Sequence, residues 1–292
     1  MARWHDTRKR EEEGSAMDWA PITEQIDFVF PIPVPTQTLP PHRHTNSFLV
    51  GRREILMIDA GLWDEEGAEG LIGHFREGAE RRLHRLVLTH WHPDHQVGTD
   101  KIKKRTACQV GIHVSEADKV APMSVDFTFR HGDRIPFDGG ELEVIHTPGH
   151  SSGHCCFLLR PEGVLFTGDH ILGMGTSIIV PPDGDMALYM ASLVELLSYP
   201  VRILCPGHGP VVWNAREKIQ EYIGHRRARE SAILEGVRSG IRRTEDLVAK
   251  IYTDVPVSFH TMAFFSVEAH LAKLVQEGKI EKLQGEEGHG PI

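Results

Sequence analysis

Apolar and polar positions along this chain follow two periods in turn, and each change of period marks an element. Residues 26–30 (Ile-Asp-Phe-Val-Phe) alternate as a strand does, then stop at a proline-rich stretch, 31–41, that cannot be a central strand. Residues 47–50 and 54–59 form two short strands joined by Gly51-Arg52-Arg53, a hairpin signal. Helical spacing over 62–78 leads to a short buried-type strand at 85–89, a helix over 94–104 and a strand at 109–114. Three more apolar runs, 142–145, 155–159 and 164–167, are each punctuated by Gly or Pro. Leu188, Met190, Leu193, Leu196 and Leu197 predict an amphipathic helix over 185–197, followed by a last strand at 202–205.

After residue 213 the strand pattern stops. The pattern predicts one long helix over 214–237 with Asn214 as its cap, a second helix capped by Thr244 with Glu245 and Asp246 in its first turn, and a third from Thr261. Phe264, Val267, Leu271, Leu274 and Val275 share one face of the third, Gly278 closes it, and 279–283 looks like a strand. Three helices and a ribbon outline a winged-helix module. The predicted division is a flexible tail at 1–17, a main body at 18–224 and the small module at 225–292.

Composition narrows the class. The chain has 292 residues, 40% hydrophobic and 25% charged, which is ordinary for a soluble globular protein. Its formal net charge is -9, so there is no chain-wide attraction for nucleic acid. No apolar run approaches the ~18 residues of a membrane span, and the charged start lacks a secretory apolar core. A cytoplasmic location without membrane contact is the expectation. Four cysteines form no C-x-x-C pair, which argues against a disulfide scaffold or a cysteine-rich zinc knuckle. The unusual count is 19 His.

Their spacing carries the chemistry. His90-Trp91-His92-Pro93-Asp94-His95 lies directly after a buried strand, where residues two apart point the same way. Four ligand-type groups in six residues are too many for one tetrahedral ion with an open position, and suit two adjacent metals. His150 in a Thr-Pro-Gly-His run, Asp169 in Thr-Gly-Asp and His208 in Pro-Gly-His-Gly complete the candidates, each at a strand end beside a glycine that allows a sharp turn and leaves room.

H-x-H-x-D-H followed by these three runs, with Asn46-Ser47-Phe48-Leu49-Val50 and Ile58-Asp59-Ala60-Gly61 ahead of them, resembles the metallo-β-lactamase superfamily over residues 25–215. The resemblance implies an α/β fold, an αββα sandwich of two mixed sheets flanked by helices, with the small C-terminal winged-helix domain appended. It implies one metal on His90, His92 and His150, a second on Asp94, His95 and His208, and Asp169 bridging them. Asp94 and Asp169 are the implied catalytic carboxylates. Two divalent ions would supply hydroxide near neutral pH. Zinc is the first expectation, and iron or manganese fit the same ligands.

Other conspicuous residues have a plainer reading beside the functional one. Asp59 either fixes the tautomer of a ligand histidine or caps a strand end. His154 either orients a ligand or simply packs, and Trp91 either lines the substrate mouth or does not. His146 and His170 are expected to be structural; His42, His44, His113, His131 and His260 are expected at the surface or in the core. Cys155 and Cys156 are expected in the core, and Arg226, Arg227 and Arg229 either grip phosphates or, on the plainer reading, form a solvated helix face.

Within the superfamily, Asp94 stands where dedicated antibiotic-hydrolysing members carry Cys, and His92 is not the Glu of flavo-diiron enzymes. Only 38 residues separate Asp169 from His208, which leaves no room for the inserted domain of the messenger-RNA-cleaving branch. The helix at 184–193 resembles glyoxalase II, and the C-terminal module resembles that of the β-lactamase-like protein branch, which includes a single-stranded-RNA endoribonuclease. From 225 to 292 there are ten Lys+Arg and ten Asp+Glu, a net charge of zero, and the third helix has one Lys and two Glu; a groove reader would be basic there. The expectation is a hydrolase of a small-molecule ester, thioester or lactone with weak β-lactam turnover. RNA cleavage at the same metals is the alternative.

Overall fold

The computed structural model describes residues 20–61, 64–76, 81–120, 125–253, 256, 259–282 and 289–291. The tail expected at 1–17 lies outside them.

Six strands form the first sheet: β1 (Val29–Pro35), β2 (His44–Val50), β3 (Glu54–Ile58), β4 (Arg82–Val87), β5 (Gln109–His113) and β6 (Phe127–Phe129), in that order. β1 to β3 are antiparallel and β3 to β6 parallel. The second sheet holds β7 (Arg134–Phe137), β8 (Gly140–His146), β9 (Cys155–Leu159), β10 (Val164–Gly168) and β11 (Ile203–Pro206), ordered β11-β10-β9-β8-β7. Only β10 and β11 run parallel there.

The central strands are apolar on both faces because both faces are buried. In β2 and β3, Phe48, Val50, Leu56 and Ile58 point between the sheets, onto Val144, Phe157 and Phe166. Leu49, Ile55 and Met57 point outward, under α1 (Glu65–Arg76) and α3 (Thr99–Thr106) through Ala68, Leu71 and Ile102. Ile145, Leu158 and Leu165 line the outer face of the second sheet, under Tyr189 and Leu193 of α4 (Met186–Leu196) and Ile219 and Tyr222 of α5 (Ala215–Arg238). The layers are therefore helix, sheet, sheet, helix.

Helix α5 passes through residue 225 and serves two cores. Its first half packs on the second sheet; Ile233 and Val237 pack with Leu247 of α6 (Thr244–Ile251), Leu271 and Leu274 of α7 (His260–Gln276), and Ile280. The ribbon β12 (Ile280–Lys282) and β13 (His289–Pro291) closes this module.

Several local expectations shift. The strand expected at 26–30 lies at Val29–Pro35 and runs through the prolines. Pro31, Pro33 and Pro35 recur every second residue, so their missing donors all face the free edge of a strand paired only to β2. The helix expected over 94–104 is two helices, α2 (Pro93–Gln96) and α3, separated at Val97-Gly98. Asn214 occupies the cap position of α5 without a side-chain capping bond. Thr244 is inside α6, and its hydroxyl bonds Glu268 of α7 instead.

Candidate metal centre

All seven predicted ligands converge at one edge of the sandwich, each delivered by a strand end. His90, His92, Asp94 and His95 follow β4; His150 follows β8, Asp169 follows β10 and His208 follows β11. Their ligand atoms form three overlapping groups: His90, His92, His150; His90, His95, Asp169; and Asp94, His95, His208. Within each group these atoms lie within 4.8 Å of one another.

Four of the five rings are pinned by their Nδ1. Thr89 donates its backbone N–H to Asp59 Oδ1 and its hydroxyl to Asp59 Oδ2, both at 2.8 Å, so its Oγ1 accepts from His90 Nδ1 at 3.0 Å. His95 Nδ1 donates to Asp59 Oδ2 at 2.8 Å, His150 Nδ1 to Ile178 O at 2.9 Å and His208 Nδ1 to His44 O at 2.9 Å. Every pinned ring thus turns its Nε2 inward, which fixes tautomer and direction together. His92 instead presents Nδ1, 2.9 Å from both His90 Nε2 and His150 Nε2.

Asp169 faces both groups. Its Oδ1 lies 3.3 Å from His95 Nε2 and 3.3 Å from His208 Nε2, while Oδ2 lies 3.7 Å from His150 Nε2. Asp94 Oδ2 is 3.3 Å from His208 Nε2. Space for this crowding comes from Gly207, where a Cβ would stand 2.8 Å from His95 Cε1 and 3.1 Å from Asp169 Oδ1.

The electrostatics divide the cluster. Burial, with the neighbouring rings, pushes His90 well below the ordinary histidine range and His92 down to about 3. Burial also lowers His150. These three are neutral lone-pair donors. Burial would lower His95 as well, but Asp169, Asp59 and Asp94 outweigh it and raise the ring well above its ordinary value; against burial, Asp169 and Asp94 also raise His208. Against burial, His95 and His208 hold Asp94 at about 2, and His208, His95 and His150 hold Asp169 well below the carboxylate range.

The donors fit a pair of divalent cations. His95 Nε2, Asp169 Oδ1 and His208 Nε2 are buried with no hydrogen-bond partner, a costly arrangement unless a cation answers them. Three neutral imidazoles on one side, and two imidazoles with carboxylates on the other, are donor sets for divalent transition metals.

Supporting residues differ in how visible they are in the sequence. Asp59 holds His95, one of its two expected roles. His154 accepts from the Asp169 backbone N–H at 3.2 Å through Nε2 and pairs with Thr147 Oγ1 through Nδ1 at 2.9 Å. Trp91 is half-buried, its indole donating to Asp183 Oδ2 at 2.8 Å. His42, expected at the surface or in the core, stacks on His208 with ring centroids 5.3 Å apart. Arg226 is not on a solvated face: it is 2% exposed.

Glu116 carries no sequence signal. It lies on a short 3-10 turn over Val114–Lys119 and is fully buried. Its Oε2 accepts from Trp91 N at 3.1 Å and its Oε1 from Gly153 N at 2.8 Å, so one carboxylate joins the loop of His90 and His92 to the loop of His150. Glu116→Ala leaves both backbone donors without an acceptor, an expected cost of about 2–4 kcal/mol. Urea denaturation checks this; a midpoint unchanged from the parent would show that the carboxylate is not a tie.

Two family models match separate stretches of the chain. The model of the metallo-beta-lactamase superfamily matches residues 40–208, and that of the beta-lactamase associated winged helix domain matches residues 244–288. The chain is 32% identical to the Drosophila melanogaster "Beta-lactamase-like protein 2 homolog" over 253 residues, covering 81% of this chain and 84% of that one. It is 35% identical to the "Lactamase-like protein nscB" of Arthroderma benhamiae over 237 residues, covering 73% of this chain but only 50% of that protein. The crystal structure of a metallo-beta-lactamase family protein from Thermus thermophilus superposes with a TM-score of 0.76 at 22% identity, covering 90% of this chain and 98% of the other.

Proposed function

We propose, on the premise that this chain belongs to the metallo-beta-lactamase superfamily, that it is a dinuclear metal-dependent hydrolase of small-molecule esters, thioesters or lactones. The observation that carries the reading is Asp169, whose two carboxylate oxygens face the two histidine groups. His90, His92 and His150 would hold one ion, Asp94, His95 and His208 the other, and Asp169 both. Zinc is our assignment for an imidazole-rich set, with iron and manganese as the competing occupants. When bound, the pair supplies Lewis-acid polarisation and a water acidic enough to lose a proton near neutral pH.

The chain's own residues do the positioning. The pinned rings hold their Nε2 atoms in place without reorganisation, and Asp169 and Asp94, both ionised, offset the charge of two dications. His42, stacked on His208, is placed to orient the substrate.

Exposed apolar side chains near the centre support this substrate class. Met174 lies one residue beyond Gly173, whose N–H bonds His208 O; Val180 lies two beyond Ile178, which holds His150; Leu39 accepts from the His42 N–H. These three apolar side chains are 49%, 40% and 44% exposed. Lys119, which lies over the Trp91 ring, is paired with Asp183 at 2.6 Å. An apolar rim suits a neutral acyl substrate better than a chain of phosphates. No helix among the described residues is long and apolar enough to cross a membrane. All four cysteines are buried free thiols, in keeping with the reducing cytoplasm we assign.

Chelation tests the reading. Metal-stripped protein should lose turnover of thioester and lactone panels and regain it with about two equivalents of zinc per chain. Rates on neutral substrates should change little with salt. Faster cleavage of single-stranded RNA, weakening steeply as salt rises, would replace the acyl reading with the nuclease one.

A further inference from the structure

Helix α5 reaches the metal centre through a buried arginine. Arg226 donates from its guanidinium to the carbonyl of Ser177, and its charge lies 5.3 Å from the ring centroid of Tyr189. Among the described residues it has no carboxylate partner, and its Nε is buried without a hydrogen bond. Burying a charge with neither counter-ion nor full hydrogen bonding is a poor way to stabilise a core; an apolar side chain of similar volume would do at least as well. The position therefore asks for a geometric use.

That use is visible one bond further on. Ser177 Oγ lies 3.0 Å from His150 Nδ1, and the next residue, Ile178, supplies the carbonyl that accepts from the same nitrogen at 2.9 Å. Fixing the Ser177 carbonyl thus fixes both groups that orient His150. One turn earlier on α5, the Tyr222 hydroxyl accepts from Leu172 N at 2.9 Å and lies 2.9 Å from Gly175 O. The helix grips the 170–178 loop at three points. That loop leaves directly from Asp169, and its Gly173 N–H bonds the His208 carbonyl at 2.8 Å.

We infer that Arg226 is a positioning residue for the metal centre: by clamping the Ser177 carbonyl it aims His150, so that docking of the C-terminal module through α5 sets the geometry of the His90–His92–His150 site. The same helix is built into the winged-helix core at Ile233 and Val237, so a change in how that module sits is passed along a rigid element to a ligand. This rests on the metal-centre reading above.

Cobalt is the probe, because its visible spectrum reports coordination geometry. Full-length parent, Arg226→Met, Arg226→Lys, Ser177→Ala and the Arg226→Lys/Ser177→Ala pair are titrated with Co²⁺ after metal removal, alongside thermal unfolding. Arg226→Met should weaken one of the two cobalt steps by about 10–100-fold, the loss seen when an outer partner of a ligand is removed, and should alter the spectrum. Arg226→Lys should recover part of the affinity, and its effect should not add to that of Ser177→Ala, because both act through one ring. Ile233→Ala, which loosens the winged-helix core around α5, should change the cobalt spectrum in the same sense as Arg226→Met but less. Leu71→Ala, in the core under α1 and away from α5, should lower the unfolding temperature and leave the spectrum as it is.

Parental affinity and spectrum in Arg226→Met overturn the proposal. So does strict additivity of Arg226→Lys with Ser177→Ala, which decides the matter if the Met variant does not fold. A parent that binds no cobalt overturns the metal-centre reading itself, and the proposal with it.

Discussion

Asp169→Ala is expected to empty both halves of the centre, not one. The carboxylate is partly buried, with Oδ1 shielded from solvent, and its oxygens lie 3.3 Å from His95 and His208 on one side and 3.7 Å from His150 on the other. Without it, the first ion keeps three neutral imidazoles and the second keeps two imidazoles and Asp94. Two dications then sit side by side with one carboxylate where there had been two. The expected readout is metal content, measured by plasma emission after dialysis, falling at both positions. Turnover should drop by about 10³-fold or more, the equivalent of several kcal/mol of transition-state stabilisation. The fold should survive, because Asp169 stands at a strand end with its backbone N–H still held by His154. Retention of one full equivalent of tightly bound ion would show that Asp169 serves a single metal and that the centre is not bridged.

The convergence of the seven candidate ligands is legible in the sequence because each stands beside a signal of its own. Four of them fall within six residues, and the other three each follow a glycine or close a Thr-Gly-Asp turn, at the end of an apolar run. The layers were legible for a related reason: strands such as β9, apolar at every position, must be covered on both faces. What was not legible acts through backbone atoms far away in the chain. Glu116 bonds N–H groups 25 and 37 residues distant, and Arg226 a carbonyl 49 residues distant; no local pattern marks a side chain whose partner is a peptide group. A basic run such as 226–229 suggests a solvated face until the helix is placed against its loop. β6 and β7, of three and four residues, are too short for a period to show, and β7 contains Pro136. His42 belongs to the centre only through the fold, since it follows the proline-rich edge strand and meets His208 from the opposite end of the sandwich domain's sequence.

Gly149→Ala should damage the centre without touching a candidate ligand. Gly149 precedes His150 and has φ +131, a backbone region that L side chains rarely adopt. A Cβ placed there would lie 2.3 Å from Tyr189 N, 2.4 Å from Tyr189 Cα and 2.5 Å from Tyr189 Cβ. Two of those atoms are backbone in the first turn of α4, so no rotamer change relieves the contact. The turn cannot retreat easily either: Asp185 donates its backbone N–H to Gly149 O at 2.9 Å and caps α4 through Ala187 N and Leu188 N at 2.7 and 2.9 Å. Behind it, Tyr189 is fully buried and bonds the His170 carbonyl at 2.7 Å. Either the Pro148–His150 loop moves away from α4 or α4 moves off the second sheet. Strain of this kind, conformational and steric together, costs about 2–6 kcal/mol. If the loop gives way, His150 leaves its place between Ile178 and His92, and the His90–His92–His150 site loses affinity while the Asp94–His95–His208 site is less affected. The expected result is therefore a lower urea midpoint with selective loss of one ion. A variant with parental stability and full metal content would mean that the loop has room to accept a methyl group, and that the glycine is not what aims His150.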